Sequence, residues 1–305
     1  MRLYLASWPT SIKEGEGSLF VGGHSQWEGI NKASLLWPSL NIRILISFYY
    51  FHETDLGADL ERYFPSKKVD LFADSGAFSA WTKNEKVEVE AYGDWLLENR
   101  EYLSIYASLD VRNDLDATLR NQEYLEGLGL RPVPVFHAGS PWDIFEEYCK
   151  RYNYIALGGV AGARFETEKT SRWYAHCWRR AEGRAQFHGF GATGWGILRS
   201  FPFYSVDSTS WASGFRFGYV PLFHPRRHKF YRIKLGDARS AYRWRELLSI
   251  YGIHPDDFAD RERNKRLDLA TLGAISWMHA EKFIENYHGK VELSQRECFG
   301  PEVKE

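Results

Sequence analysis

The chain has only three cysteines in 305 residues, Cys149, Cys177 and Cys298, and no Cys-x-x-Cys pair. That spacing argues against a zinc knuckle and against a disulfide framework, so no metal site is expected. No apolar run approaches a membrane span, and Met1-Arg2-Leu3-Tyr4-Leu5-Ala6-Ser7-Trp8-Pro9 is too short for a signal peptide. The expectation is a membrane-free, cytoplasmic protein. No Gly-x-Gly-x-x-Gly follows the first predicted strand, which counts against dinucleotide binding. There is no internal repeat and no low-complexity tract. Global charge is also absent, since 39 Lys/Arg face 40 Asp/Glu.

What charge there is falls unevenly. Between Arg216 and Arg245 stand nine Lys/Arg against one acid, Asp237, leaving the other 275 residues with 30 Lys/Arg against 39 Asp/Glu. Interleaved with those cations are Phe217, Tyr219, Phe223, Phe230, Tyr231, Tyr242 and Trp244. Cations neutralise phosphates and rings stack on unpaired bases, so this stretch is a candidate polyanion footprint as well as a candidate solvated face.

Apolar and β-branched runs predict about eight strands: Leu3 to Ser7 or Ser18 to Gly22, then 42–51, 69–74, 103–110, 132–137, 154–159, 185–189 and 203–207. Helical patterns fall at 87–102, 115–128, 141–151 and 167–182, and again at 238–251 and 265–287. In 167–182 the residues Trp173, Tyr174, Cys177, Trp178 and Ala181 mark one amphipathic face. Asp74, Asp110, His137, Gly158-Gly159, His188 and Asp207 each end a different predicted strand. A barrel gathers strand ends onto one rim where an open sheet would spread them, so the fold expected is an α/β, (β/α)8 TIM barrel with a basic, aromatic-rich insertion or C-terminal extension. The domains expected are 1–211 as the barrel, 212–262 as a basic aromatic nucleic-acid-binding segment, and 263–305 as a C-terminal helix packing on the barrel, with a tail.

Each strand-end residue has a structural alternative. Asp74 in Asp74-Ser75-Gly76-Ala77-Phe78 can cap a helix, Asp110 can cap or pair, and Asp207 can cap its own strand end. His137 and His188 can be satisfied core histidines. Gly158-Gly159 can serve helix–sheet packing, and Gly189-Phe190-Gly191-Ala192-Thr193-Gly194 is a weak candidate for a phosphate cradle. Read chemically, two acids facing one pocket point to covalent or acid/base chemistry. A carboxylate such as Asp110 can also accept both N–H donors of one guanine edge.

Taken in order, these motifs resemble the tRNA-guanine transglycosylase superfamily over about residues 70–210. The family's Asp-Ser-Gly-Gly resembles Asp74-Ser75-Gly76-Ala77 with Phe78 following, and its second strand-end acid resembles Asp110. Its Gly-Gly-Leu is similar to Gly158-Gly159-Val160, its Met-Gly-Val-Gly to His188-Gly189-Phe190-Gly191, and its Phe-Asp-Cys-Val to Val206-Asp207-Ser208-Thr209. The Val-Gln-Gly segment matches only loosely, with His137 where the glutamine stands. The family's Cys-x-Cys-x-x-Cys zinc segment is replaced by the cysteine-free basic stretch, which resembles the zinc-free relatives of phages and bacteria that modify DNA.

The resemblance implies an enzyme, a pentosyltransferase that exchanges guanine in DNA for a preQ0-like 7-deazaguanine without a cofactor. It casts Asp207 as nucleophile and Asp74 as general acid/base. Ser75, Phe78, Asp110, His137, Gly158, Gly159 and His188 would hold the base, with Phe78 and His188 sandwiching the ring. Arg216, Arg226, Arg227, Lys229, Arg232 and Lys234 would hold the strand. Nucleic acid, DNA ahead of tRNA, and the free base are the expected partners, with accessory modification proteins beside them, in a bacterial host cell if the chain is phage-encoded. The readings kept beside it are a tRNA-directed transglycosylase, a barrel glycoside or nucleoside hydrolase, and a non-catalytic nucleic-acid-binding barrel.

Overall fold

Short runs rich in Ile, Leu, Val and Phe can bury both faces of a parallel sheet, and here they do. A computed structural model describes residues 1–7, 26–36, 41–160, 167–212, 217–260, 263 and 267–289. Eight strands, β1 (Arg2–Ala6), β2 (Ile42–Ser47), β3 (Val69–Asp74), β4 (Leu103–Tyr106), β5 (Val135–His137), β6 (Tyr154–Gly158), β7 (Gln186–Gly189) and β8 (Ser205–Ser208), form one all-parallel sheet. Their order is β4-β3-β2-β1-β8-β7-β6-β5. The sheet curls until its end strands touch: Ala107 bridges Val133, with the Ser108 N–H donating to Val133 O and the Val133 N–H to Tyr106 O, both at 2.9 Å.

Alternation along the strands separates two apolar clusters. Leu3, Leu5, Ile44, Ile46, Leu71, Ile155 and Leu157 face the helices, while Tyr4, Ala6, Leu45, Phe72, Ile105, Val135, Tyr154, Ala156 and Tyr204 fill the inside of the curl. The architecture is therefore mixed α/β and (β/α)8-barrel-like. Because every strand runs the same way, all eight C-terminal ends open at one mouth.

The flanking helices are α1 (Gln26–Leu36), α2 (Phe48–Phe51), α3 (Leu56–Tyr63), α4 (Ala77–Thr82), α5 (Val89–Asn99), α6 (Leu115–Gly127), α7 (Trp142–Arg151), α8 (Thr167–Ala181) and α9 (Trp195–Ser200). In α8 the expected face is buried at Tyr174, Cys177 and Ala181, with Trp173 and Trp178 packed against the core. Asp114 caps α6 by accepting the Ala117 N–H at 2.9 Å. After β8 the chain forms an antiparallel hairpin, β9 (Tyr219–His224) and β10 (Lys229–Lys234), then α10 (Ala238–Arg243), α11 (Arg245–Ile250) and α12 (Pro255–Ala259). The last helix, α13 (Leu269–His288), returns to α1, β1 and β9. Among the described residues no helix is long and apolar enough to cross a membrane.

Several local expectations differ from the structure. The predicted strand 42–51 ends at Ser47, because Phe48 and Phe51 turn inward as α2 to meet Tyr92 at 5.4 Å and Trp27 at 5.8 Å. The predicted helix 238–251 breaks at Trp244, whose ring packs 4.1 Å from Tyr231. The alternative first strand at Ser18 to Gly22 lies outside the described residues, as do Lys265 and residues 290–305.

Gly29 marks the closest approach of α1 to α13: a Cβ there would overlap the Ala270 side chain and stand 2.9 Å from the Ala270 backbone carbon. Gly29→Leu is expected to cost about 1–3 kcal/mol through overpacking. Gly127→Ala, where nothing lies within 4 Å, is expected to be neutral or stabilising by about 0.4–1 kcal/mol. Urea denaturation midpoints of both variants check the pair.

Candidate active site

Three acids stand at the open mouth. Asp74 ends β3, Asp207 lies in β8, and Asp110 follows β4. Burial pushes the Asp74 carboxyl up to about 7, and the negative charges of Asp110 and then Asp207 push the same way. The Gly76 N–H, donated to Asp74 Oδ2 at 3.3 Å, opposes them only weakly. Asp74 does not cap α4; that position belongs to Gly76 in the left-handed region, where a Cβ would overlap Ser47 and Tyr49. The neighbouring Ser75 is fully buried and its hydroxyl accepts the Ala77 N–H at 3.3 Å.

Asp207 is 8 % exposed and accepts the Gly191 N–H on Oδ1 at 2.7 Å. The glycine-rich segment after β7 thus gives an amide to a carboxylate of the chain itself. Beneath it lies a buried polar chain. His188 Nε2 stands 3.5 Å from Asp207 Oδ1 without a hydrogen bond, and its Nδ1 is 2.6 Å from Ser205 Oγ, which is 2.5 Å from the Tyr154 hydroxyl. Burial lowers the His188 pKa against the pull of Asp207, so the ring is neutral. The imidazole packs beneath Asp207, and the bond that holds the carboxylate is the one from the Gly191 amide.

The expected base-reading residues are brought together on the other side. His137 Nε2 lies 2.8 Å from Asp110 Oδ2, both side chains about one-fifth exposed. Gly158 makes room for that ring, since a Cβ there would come within 2.9 Å of His137 Cδ2. Gly159, at φ +78°, turns the chain away beside the Ala138 amide. The expected sandwich partners stand apart in exposure. Phe78 is 52 % exposed on α4, whereas His188 exposes no surface and packs 4.5 Å from Phe72 and 4.7 Å from Phe190.

Sequence reasoning missed the rest of the rim around Phe78. Trp81 is 51 % exposed 6.2 Å from Phe78, and the Arg112 guanidinium lies 3.9 Å over its indole. Lys83 bridges the rings of Tyr49 and Tyr50. One signal was available: Trp81 is one helical turn beyond Phe78, and Arg112 is two residues beyond Asp110. Ser205 and Tyr154 carried none, because small polar and aromatic residues inside a strand read as core.

The basic residues do not form one surface. Cross-strand partners share a face, so Lys229 lies with His224 and Tyr231, while Arg232 and Lys234 lie with Pro221 and Tyr219 on the opposite face. Arg226 and Arg227 are exposed in the turn between the strands. Arg216 lies outside the described residues. The hairpin turn docks on the start of α9, where the Trp195 indole N–H donates to His228 O at 2.7 Å.

Thiol chemistry is disfavoured at the described cysteines: Cys149 and Cys177 are buried and free, and burial pushes the Cys149 thiol up to about 11. Among the described residues no group of three or more His, Cys, Asp or Glu is placed to hold a metal ion.

Asp74 binds its proton more tightly folded than unfolded, so the native state holds the extra proton between about 4 and 7 and stability falls as pH rises through that window. Asp74→Asn is expected to remove this slope, leaving the variant more stable than the parent at pH 8 and the difference closing towards pH 4. Chemical denaturation at a series of pH values checks it. Compared with known proteins, the chain matches no family model and no curated protein.

Proposed function

We propose that the chain is a base-exchanging transglycosylase, similar in reaction to the tRNA-guanine transglycosylase superfamily and acting on DNA. The observation that carries the reading is the pairing of unlike acids at the mouth. Asp74 is held near a pKa of about 7 by burial and by its acidic neighbours, whereas Asp207 has an amide donor on Oδ1. Two carboxyls with opposed proton demands are what a nucleophile and its general acid/base require.

The mechanism follows from those roles. Ionised Asp207 attacks C1′ of the target nucleotide, forming an ester as the bond to guanine N9 breaks. Asp74 gives its proton to the departing purine. The incoming 7-deazaguanine then attacks C1′ through N9, Asp74 takes the N9 proton, and Asp207 leaves as carboxylate. Two inversions restore the β-configuration. Asp110 accepts from N1–H and N2–H of either base, using the oxygen that His137 leaves open. Phe78, with Trp81 and Arg112 beside it, offers a stacking edge for an extruded or single-stranded base. Residues 212–262 supply the cations for the strand, DNA ahead of tRNA.

A glycoside or nucleoside hydrolase is the second reading. The contact of His137 with Asp110 is on its side, because it occupies one oxygen of the expected base-reading acid. Water would then replace the incoming base, and no polymer would be needed.

Exchange of labelled guanine into single-stranded DNA, duplex DNA and tRNA separates these readings. Asp207→Asn is expected to abolish exchange and Asp74→Asn to lower it by about 10²–10⁴-fold. Wild-type exchange by Asp207→Asn would overturn the nucleophile, and sugar release without nucleic acid would favour the hydrolase. Replacing Arg226, Arg227 and Lys229 with Ser is expected to weaken DNA binding and to flatten its salt slope by about 0.7–0.9 for each phosphate left without its cation.

A further inference from the structure

A second, separate site opens between the hairpin and the two short helices that follow it. Its cavity measures about 240 Å³ and is lined by His224, Arg227, Arg243, Trp244, Glu246 and Leu247. None of these residues belongs to the carboxylate cluster or to the aromatic rim, and three of the six carry or can carry positive charge.

Four features of the lining point to one kind of ligand. First, His224 is only 6 % exposed and its Nδ1 is buried with no hydrogen-bond partner. A buried imidazole nitrogen left open inside a wall is uncommon and asks for a ligand or an ordered water. Second, among the described residues neither Arg227 nor Arg243 is in an ion pair. Exposed Glu246 is the sole acid in the lining, and Arg227 also reaches the Tyr231 hydroxyl. The field they set up is felt at His224, whose pKa is lowered by burial and further by Arg227 and Arg226, against Glu246.

Third, the wall is pre-shaped. Trp244 packs 4.1 Å from Tyr231, and the Arg243 guanidinium lies 5.4 Å from the Trp244 ring, which limits its freedom before any ligand arrives. Lys229, opposite His224 in the hairpin register, sits 5.2 Å over Tyr231 on the same face. Fourth, the volume is several times the ~30 Å³ share of one water and below the roughly 300–1,000 Å³ of pockets that enclose whole drug-sized ligands. It has room for a compact anion such as a phosphate group.

We propose that this cavity is a phosphate site, in which Arg227 and Arg243 take phosphate oxygens against a wall formed in part by the His224 imidazole. Guanidinium groups match phosphate geometry through paired N–H donors, and a partly enclosed wall strengthens each contact. The phosphate has two sources with the same chemistry: a free phosphate or phosphomonoester, and a backbone phosphate of a bound strand. The site does not depend on base exchange, since none of its residues lines the carboxylate mouth.

The test is isothermal titration of inorganic phosphate into the full chain at low ionic strength, with sodium chloride of equal ionic strength as control. Saturable binding at one site is expected. Arg243→Ser and Arg227→Ser, both at exposed side chains, are each expected to weaken it at least tenfold, while Arg120→Ser on α6 leaves it unchanged. His224→Gln, which retains a hydrogen-bonding side chain, is expected to weaken it less than either arginine variant. Absence of saturable binding, reproduction of the signal by chloride, or equal loss in Arg120→Ser would overturn the proposal. A thymidine dodecamer identifies the source. Its displacement by phosphate, together with weaker binding to both arginine variants, assigns a strand phosphate. Unchanged dodecamer binding by variants that no longer bind phosphate assigns a free one.

Discussion

A parallel sheet must be covered on both faces, and the inner face of this one is covered by its own rings. Tyr4, Phe72, Tyr154 and Tyr204 fill the interior of the curl, with Phe190 packed on them. Around that filling the sheet bends until the chain just after β4 meets the chain just before β5 through backbone hydrogen bonds, and the bend brings strand ends distant in sequence to one mouth. The acids at that mouth are there because the strands converge, and they repel one another for the same reason. Burial at that mouth raises the Asp74 pKa, and the nearby charges of Asp110 and Asp207 add to it.

The interior also explains how the histidines differ. His188 points into the packed rings and reaches solvent nowhere, so it acts on the site only through Asp207 above it and Ser205 beside it. His137 sits at the edge, where Gly158 leaves space for its ring, and can meet both Asp110 and an incoming molecule. Both residues end a strand in the same sequence pattern of apolar run followed by a polar residue. Depth in the curl, set by the register of neighbouring strands, divides them.

Much of this was legible in the sequence. Val69 to Asp74 is a strand with the bounds its apolar run suggested, and the buried face of α8 falls on the residues that its spacing marked. Strand-end acids are readable because an acid after a Val, Leu or Phe run has few other places to go. Less readable were features made by distant partners. Phe48 to Phe51 carries strand-forming aromatics, yet Tyr92 and Trp27 draw it into a helical turn. The hairpin after residue 218 lacks an Asn-Gly or Asp-Gly turn, using His228 at φ 52° instead, so a basic aromatic run concealed two strands. Its period-2 alternation then distributes cations that look continuous in sequence onto opposite faces.

The segment from Gly189 to Trp195 joins two parts of the molecule. Through Gly191 it holds an oxygen of Asp207, and through Trp195 it holds the backbone of the hairpin turn. So short a tether works as a lever arm with little slack. Displacing the hairpin changes the amide presented to the carboxylate, and inserting residues into the tether would uncouple the two.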